Sequence, residues 1–445
     1  MQNRQLEPAP SLVTNNGTIG PERWSRLQML VVALCFVINM LDGMDVLILS
    51  YVAPAFSADW NIAPDELGML FSSGLAGMAA GGILIAPLAD RFGRRPLIIS
   101  ALIVSSVAMV SSGFVETLAQ FLVLRFAVGI GIGTVLPSMA AIVAEYAPEK
   151  HRSFAVGLLQ AGYPVGATIT GFVAATVIPI HGWRATLIGA GLISAAMVPL
   201  TMLLLPESVQ FLRARISQPH GKMAEASTAL RFGSSGVAGL VSEGRFVATL
   251  LLWTAVSLGF MTLYFIISWI PKLAIAAGVS ESHAIYTGAI LNIGSFSGTI
   301  LIGRLSTRLK LQNLVCAFLV SAAIVLAAYG SIPMPAILTL FAAFIVGFLL
   351  QGGFNGLYPL AASVYPAHVR STGIGWAMGI GRVGAVLGPL LGGVLLAREV
   401  PLAAIFAVFG VPVLLAGVCA LFVRAADPGE RAVATCPGGS RQGAT

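Results

Sequence analysis

The chain has 445 residues, of which 57% are hydrophobic and only 10% are charged; an ordinary soluble domain has about 25% charged residues. The mean hydropathy is +0.90. This composition excludes a water-soluble enzyme or binding domain and indicates a polytopic membrane protein. The net charge of +7 is explained by loops that contact anionic lipid, so it does not predict a nucleic-acid partner.

The cysteines predict neither a metal site nor a disulfide framework. Cys35, Cys316 and Cys419 lie in apolar runs and Cys436 lies in the C-terminal tail. None of them has the close spacing of a metal site or a redox pair. We therefore expect no metal and no cofactor.

Twelve apolar stretches are long enough, at about 20 residues each, to cross a hydrocarbon core of about 30 Å. Because unpaired backbone groups are costly in lipid, each stretch should be an α-helix. The predicted fold class is an all-α integral membrane protein with twelve transmembrane helices. In chain order the predicted spans are 27–52, 66–88, 96–115, 118–143, 154–178, 184–204, 246–270, 285–304, 313–330, 335–361, 371–396 and 400–423.

The distribution of Lys and Arg predicts the orientation, because cytoplasmic loops carry their excess. With both termini inside, 20 of the 25 basic residues fall in the tails and the cytoplasmic connections. Arg184, Lys272 and Arg398 then lie outside, and Arg125 and Arg382 lie within spans. We therefore expect a multi-pass protein of the cytoplasmic (inner) membrane with both termini in the cytoplasm.

The longest polar connection divides the spans into two groups of six. The predicted organisation is a cytoplasmic tail 1–26, a six-helix bundle 27–204, a cytoplasmic linker 205–245, a second six-helix bundle 246–423 and a disordered cytoplasmic tail 424–445.

The two groups of spans are related by an internal repeat. A shift of 217 residues places GGILIAPLADR (81–91) on GTILIGRLSTR (298–308), and a shift of 218 places Gly166 on Gly384. Because an even number of spans separates equivalent positions, the repeats share their membrane orientation. Parallel repeats around a central cavity are typical of secondary transporters.

Several motifs resemble those of the major facilitator superfamily. The segment LADRFGRRP (88–96) is similar to the signature between the second and third spans. RFAVGIGIG (125–133), GYPVG (162–166) and PES (206–208) are similar to further family motifs. The resemblance covers most of the chain and implies two six-helix bundles that alternate in exposing a central site.

Two stretches narrow the resemblance to the aromatic acid:proton symporter family. They are LDGMD (41–45) and YPAHVRSTGIGWAMGIGRVGAVLGPLLGG (365–393). The resemblance implies uptake of a benzoate-like, hydroxybenzoate-like or phenylpropanoid-like acid together with protons.

Asp42, Asp45 and Arg125 are ionisable residues within spans, where each charge costs about 2.5–3.5 kcal/mol, so each is a functional candidate. Asp42 and Asp45 are three residues apart and share a helical face. Depth along the spans places Arg125 level with Asp42. The resemblance implies that the first and fourth spans both line the cavity, so we expect these two residues to be neighbours. We assign proton coupling to the two aspartates. Arg125 could bind the substrate carboxylate or act on the aspartates, and the alternative is a structural ion pair.

The second half has no equivalents of these three residues but offers a further arginine with aromatic and amide groups. Arg382 lies near the middle of the eleventh span and could bind the carboxylate or cap carbonyl groups. The rings could stack on an aromatic substrate, and an amide or phenol could read a ring hydroxyl. The alternative for the Trp and Tyr residues is an anchor at the membrane interface. The substrate-binding candidates are Arg125, Arg382, Asn355, Tyr358, Trp376 and Tyr264.

The loop after the second span resembles a gating latch. The resemblance implies that Asp90 faces the positive N-terminal end of the eleventh span, near Ser371. For the arginines of this loop a solvated position is the alternative. The gating candidates are Asp90, Arg91, Arg94, Glu145 and Arg152.

The function that we predict is proton-coupled import of an aromatic carboxylic acid. Its partners would be that acid, the proton and the lipid bilayer, and we expect a monomer. Alternatives are a carrier for another organic anion, such as a muconate-like dicarboxylate, and a drug exporter. A membrane enzyme is disfavoured, because the five histidines lie in loops or at span ends and no catalytic motif is found.

Overall fold

The computed structural model describes residues 24–209, 211–212, 245–276, 278–332, 334–365 and 370–423. This part of the chain contains eleven helices that are long and apolar enough to cross a membrane. One of them, Arg152–Leu204, is interrupted at Gly182, where φ is 77° and ψ is 172°. It therefore supplies two spans, and the predicted twelve-span architecture is confirmed.

We number the spans α1 to α12. Residues 152–181 and 183–204 of the interrupted helix are α5 and α6. The others are α1 Arg26–Trp60, α2 Pro64–Ala80, α3 Arg94–Ser111, α4 Leu118–Tyr146, α7 Phe246–Ala276, α8 Glu281–Leu305, α9 Leu311–Ser331, α10 Ala336–Val364, α11 Arg370–Ala397 and α12 Leu402–Phe422.

Some helices run past the predicted apolar stretches. The first span continues from the predicted end at residue 52 to Trp60, although its last turns contain Ser57 and Asp59. Hydropathy marks the end of the apolar stretch, whereas the helix ends where Asn61 adopts a left-handed conformation with φ of 50°. Most of the predicted tail 1–26 and linker 205–245, and all of the tail 424–445, lie outside the described residues.

Two spans begin at capping boxes that the sequence encodes locally. The Ser25 hydroxyl accepts a hydrogen bond from the Gln28 amide, and the Gln28 side chain accepts one from the Ser25 amide. Thr117 and Gln120 form the same arrangement at the start of α4. These contacts satisfy amide groups that have no partner within the helix.

The internal repeat recurs in the packing of the helices. A Cβ atom at Gly77 of α2 would collide with the carbonyl oxygen of Phe126 in α4. In the second half, a Cβ at Gly294 of α8 would collide with the carbonyl oxygen of Phe344 in α10. Lipid provides no hydrophobic force between helices, so close backbone contact at small residues is what associates them. Both halves use the same glycine positions for it.

Glycines also bring α5 against α1. A Cβ at Gly166 would collide with the Met40 carbonyl, and one at Gly43 would collide with the Tyr163 carbonyl. The glycine of LDGMD therefore has a packing role, since it allows the backbone of α5 to lie directly against α1. The aspartates on either side of Gly43 are consequently close to residues of α5.

The two halves meet at the end of the bundle where α1 ends and α2 begins, which we call the far end. The Ser50 hydroxyl of α1 donates to the Ser268 carbonyl of α7 at 2.9 Å. The Ser72 hydroxyl of α2 donates to the Val386 carbonyl of α11 at 2.7 Å. Ser50 and Ser268 are 218 residues apart, so this contact joins equivalent positions of the two repeats.

The far end also contains a close contact between two glycines and a packed pair of aromatic rings. Gly68 of α2 and Gly393 of α11 lie so close that a Cβ on either would collide with the other helix. The Phe71 ring packs edge-on against Trp269, with ring centroids 5.3 Å apart. Together these contacts close the interface between the halves at this end.

Replacing Gly166 with alanine should destabilise the protein, because the added methyl group would overlap the Met40 carbonyl. Overpacking of this kind costs about 1–3 kcal/mol, so the apparent melting temperature in detergent should fall by several degrees. The matched control is Gly157→Ala in the same helix, where a Cβ would meet nothing within 4 Å. Equal melting temperatures for the two variants would contradict this account of the α1–α5 contact.

Candidate functional site

The two carboxyl groups of LDGMD are buried. Asp42 is 5% exposed and Asp45 is 4% exposed. The Oδ2 atom of Asp42 and the Oδ1 atom of Asp45 have no hydrogen-bond partner in the described residues. Each carboxyl also lies within electrostatic reach of the other. An unpaired buried charge is costly, so this pair has the chemistry of a site that takes up and releases protons.

Arg125 of α4 lies beside Asp45. Its guanidinium is 2% exposed, lies 5.3 Å from the centroid of the Phe121 ring and contacts the Met109 sulfur at 2.9 Å. Its acidic neighbour is Asp45. Depth along the spans predicts Asp42 as the neighbour of Arg125; Asp42 and Asp45 are one helical turn apart, and depth alone does not distinguish such positions.

A cavity of about 40 Å³ opens beside this group. This volume has room for a few water molecules and is well below that of a small-molecule site, about 300–1,000 Å³. Its wall combines an acid, a base, a phenol and apolar side chains from four helices of both halves. Among the lining residues are Asp45, Phe71, Met78, Arg125, Tyr264 and Ser268.

Arg382 of α11 reaches the same region from the second half. It donates to the Tyr264 hydroxyl at 3.4 Å and contacts the Met78 sulfur of α2 at 3.9 Å. Its guanidinium lies 5.6 Å from the centroid of the Phe260 ring, and Tyr358 is within electrostatic reach. Arg382 therefore lies between the halves, whereas the contacts of Arg125 come mainly from its own half.

Asn355 and Trp376 lie apart from the two arginines. The Asn355 amide donates to the Thr299 hydroxyl at 2.8 Å and accepts from Gln351 at 3.3 Å. The Trp376 ring stacks on Trp253 with ring centroids 6.2 Å apart. A ring ligand could reach the tryptophan pair only by extending towards the end of the bundle where α7 and α11 begin.

Tyr163 of α5 also lies at the site, although the sequence did not predict it. Its hydroxyl is buried without a hydrogen-bond partner, and it lies within electrostatic reach of Asp42, Tyr264 and Arg382. Tyr163 lies in GYPVG, which was noted only as a family motif. The glycines of this motif, against which α1 packs, were the signal that α5 approaches the aspartates.

Two of the residues assigned to gating, Arg94 and Glu145, form contacts within the first half. Arg94 pairs with Glu145 at the ends of α3 and α4. The Glu145 carboxylate also accepts from the Ser208 hydroxyl at 2.7 Å. Glu207 accepts from the backbone amides of Arg94 and Arg95 at 2.9 and 3.2 Å. The PES segment thus caps α3, where its negative charge is favourable.

The structure describes only part of the predicted latch. The side chains of Asp90 and Ser371, and that of Arg370, lie outside the described part of the chain. The Arg91 guanidinium lies 5.4 Å from the centroid of the Phe92 ring, and Arg152 is exposed. Whether these residues control a gate stays a prediction.

Residues 35–384 match the profile of the Major Facilitator Superfamily. The chain is 30% identical to the gallate transporter of Pseudomonas putida, over 88% of this chain and 91% of the relative. It is 31% identical to the 4-hydroxybenzoate transporter of Pseudomonas aeruginosa, over 87% of this chain and 91% of the relative. It is 32% identical to the benzoate transport protein of Acinetobacter baylyi, over 88% of each chain.

Solved structures share the fold at low sequence identity. The xylose transporter of E. coli, in an inward open conformation, superposes with a TM-score of 0.70 at 17% identity, over 92% of this chain and 99% of that one. A bacterial homologue of the human lysosomal transporter Spinster, in an inward-facing and occupied conformation, superposes with a TM-score of 0.69 at 18% identity. The match covers 90% of this chain and 97% of that one.

Glu207→Ala should lower the melting temperature by a few degrees, because the first amides of α3 lose their carboxylate acceptor. Loss of such a cap costs about 0.5–2 kcal/mol. Glu207→Gln keeps an acceptor oxygen and should fall in between. The control is Glu149→Ala at an exposed position nearby, and an equal loss there would rule out the capping role.

Proposed function

The chain belongs to the Major Facilitator Superfamily, and from this premise we propose that it is a proton-coupled symporter that imports an aromatic carboxylic acid. The observation that carries the proposal is a buried pair of carboxyl groups, Asp42 and Asp45, of which Asp45 lines a cavity together with Arg125. The relatives named for gallate, 4-hydroxybenzoate and benzoate support the substrate class. A proton gradient can then drive accumulation of the anion.

The two arginines have different surroundings, which supports different roles. Arg125 is enclosed by Met109 and Phe121 of its own half and lies next to Asp45. There its positive charge lies beside the carboxyl group to which we assign proton coupling, so we assign Arg125 to the proton site rather than to the substrate. Arg382 lies between the halves, where an incoming carboxylate can accept two parallel hydrogen bonds from its guanidinium.

The aromatic side chains near Arg382 provide a surface for the ring of the substrate. Phe260 and Tyr264 lie against the guanidinium, and Tyr358 packs edge-on to Phe354 at 6.0 Å. A benzoate held by Arg382 would place its ring among these groups, with phenol hydroxyls available to a hydroxylated ring. Asn355 and Trp376 would contact only a longer substrate.

Alternating access follows from the closed far end. If the termini lie in the cytoplasm, as the charge distribution predicts, the far end faces the outside and the described conformation is inward-facing. Import would require the contacts Ser50–Ser268 and Ser72–Val386 to open. Proton and acid would bind from outside, and both would leave after the halves rock to the present arrangement.

The proposed function is tested by uptake into vesicles that contain the full chain, with and without an inside-alkaline pH gradient. The labelled panel is benzoate, 4-hydroxybenzoate, gallate, a phenylpropanoid acid, muconate and a cationic drug. Gradient-dependent accumulation of an aromatic acid is expected. Accumulation of muconate alone would identify a dicarboxylate carrier, and extrusion of the drug would identify an exporter; either result would overturn the proposed substrate.

Asp42→Asn and Asp45→Asn should each abolish accumulation driven by the pH gradient, because an amide cannot release a proton. Exchange of labelled for unlabelled acid needs no net proton movement and should persist in both variants. The measurement is the inside-to-outside ratio of the acid at steady state. Asp59→Asn is the control, since Asp59 lies in the same helix and only accepts a hydrogen bond from Trp183 at 3.1 Å. Normal accumulation in both test variants would refute the proton site.

Arg382→Gln should raise the KM for the acid by at least about tenfold, the loss expected for a hydrogen bond to a charged group. The apparent KM for exchange, measured at several concentrations of acid, reports this change. Arg398→Gln removes an exposed arginine just beyond the end of the same helix and should leave KM unchanged. An unchanged KM in Arg382→Gln would exclude Arg382 as the carboxylate site.

A further inference from the structure

The hydroxyl of Tyr163 is the polar group that the proposed mechanism has not used. It is buried without a partner, although an unsatisfied buried hydroxyl is costly. Nearby, the Oδ2 atom of Asp42 is also buried without a partner. Two unsatisfied groups in one region of the site indicate that each acquires its partner in another state of the protein.

The backbone that carries Tyr163 is held in place by close contact with α1. The carbonyl of Tyr163 lies where a Cβ at Gly43 would have to be, and Gly162 excludes a side chain next to Phe36 and Asn39. The backbone of α5 is therefore held against α1 on the side of Asp42. Any side chain longer than glycine at residue 43 would move Tyr163 away from the aspartate.

The charged and titratable groups around Tyr163 come from both halves. Asp45 lies within electrostatic reach of Asp42, and Arg125 lies within electrostatic reach of Asp45. Around Tyr163 itself lie Asp42 and Tyr51 of α1, Tyr264 of α7 and Arg382 of α11.

We propose that Tyr163 couples proton binding to substrate binding, because its single O–H group can donate either to Asp42 or to the carboxylate held by Arg382. The inference rests on the proposed function. It assigns Tyr163 as a positioning residue that transmits the protonation state of Asp42 to the substrate site. No proton leaves Tyr163, and only the direction of its hydrogen bonds changes.

Which group receives the O–H of Tyr163 depends on whether Asp42 is ionised. An ionised Asp42 only accepts, so it takes the O–H of Tyr163 and leaves nothing for the substrate. A protonated Asp42 donates to the Tyr163 oxygen, and the O–H of Tyr163 is then free to donate to the substrate carboxylate. The acid would consequently bind well only after the proton has bound, which is the order that a symporter requires.

The test is the affinity of the purified full chain in lipid nanodiscs for labelled benzoate, 4-hydroxybenzoate and gallate, measured at an acidic and at an alkaline pH. In the wild type the affinity should be higher at the acidic pH. Tyr163→Phe should weaken binding about tenfold at the acidic pH and leave it within about twofold at the alkaline pH. Part of the pH dependence should remain, since an ionised Asp42 also repels the anion directly.

Asp42→Asn supplies the complementary variant, because its amide N–H donates to Tyr163 at every pH. This variant should bind the acid tightly at both pH values, and adding Tyr163→Phe to it should weaken binding about tenfold at both. The matched control is Tyr329→Phe in α9. Its hydroxyl is likewise buried without a partner, but its ring packs against Phe406 at 5.2 Å, so its affinities should equal those of the wild type.

Different results separate the inference from the function on which it rests. An equal loss at both pH values in Tyr163→Phe, or no loss at either, would overturn the coupling role while leaving the transporter assignment intact. No binding of any of the three acids by the wild type would overturn the proposed function and this inference together. Melting temperatures of all variants establish that the changes are not caused by unfolding.

Discussion

The cost of placing charge among hydrocarbon is the constraint on which the rest of the structure depends. Lipid cannot solvate a carboxylate or a guanidinium, so the protein itself must surround each one. Asp45 and Arg125 are near each other inside the first half, and Arg382 has a phenol, an aromatic ring and a sulfur atom around it. These groups are too costly to keep for packing alone, and their unsatisfied atoms are where a proton or an anion can bind.

Close contact between helix backbones makes that arrangement possible. Since lipid tails are as apolar as leucine, helices associate through packing rather than through removal of apolar surface from water. Glycines at equivalent positions of the two halves, such as Gly77 and Gly294, allow the same contact in each. The repeat thus conserves the scaffold, while the side chains at the site differ between the halves. The buried carboxyl pair is in the first half, and the second half contributes Arg382 and the rings.

The far end shows how such a scaffold can move. Its contacts are a few serine hydroxyls on carbonyl groups, an aromatic pair and closely packed glycines. Hydrogen bonds of this kind contribute about 0.5–1.5 kcal/mol each, so those that join the halves here are individually weak. The network of Arg94, Glu145 and Glu207 is different, because it holds the helix ends of one half together as that half moves.

The sequence by itself determined the membrane environment, the twelve spans, the repeat and the buried charges, because run length and composition depend only on the thickness of the bilayer. It did not determine which charged groups meet. Arg125 has Asp45 as its acidic neighbour, and Tyr163 comes from α5, which the buried charges of the other spans do not by themselves place at the site. Those neighbours depend on helix tilt and rotation, which are set by contacts such as Gly43 with Tyr163, between residues 120 positions apart. Only the tertiary structure could decide them.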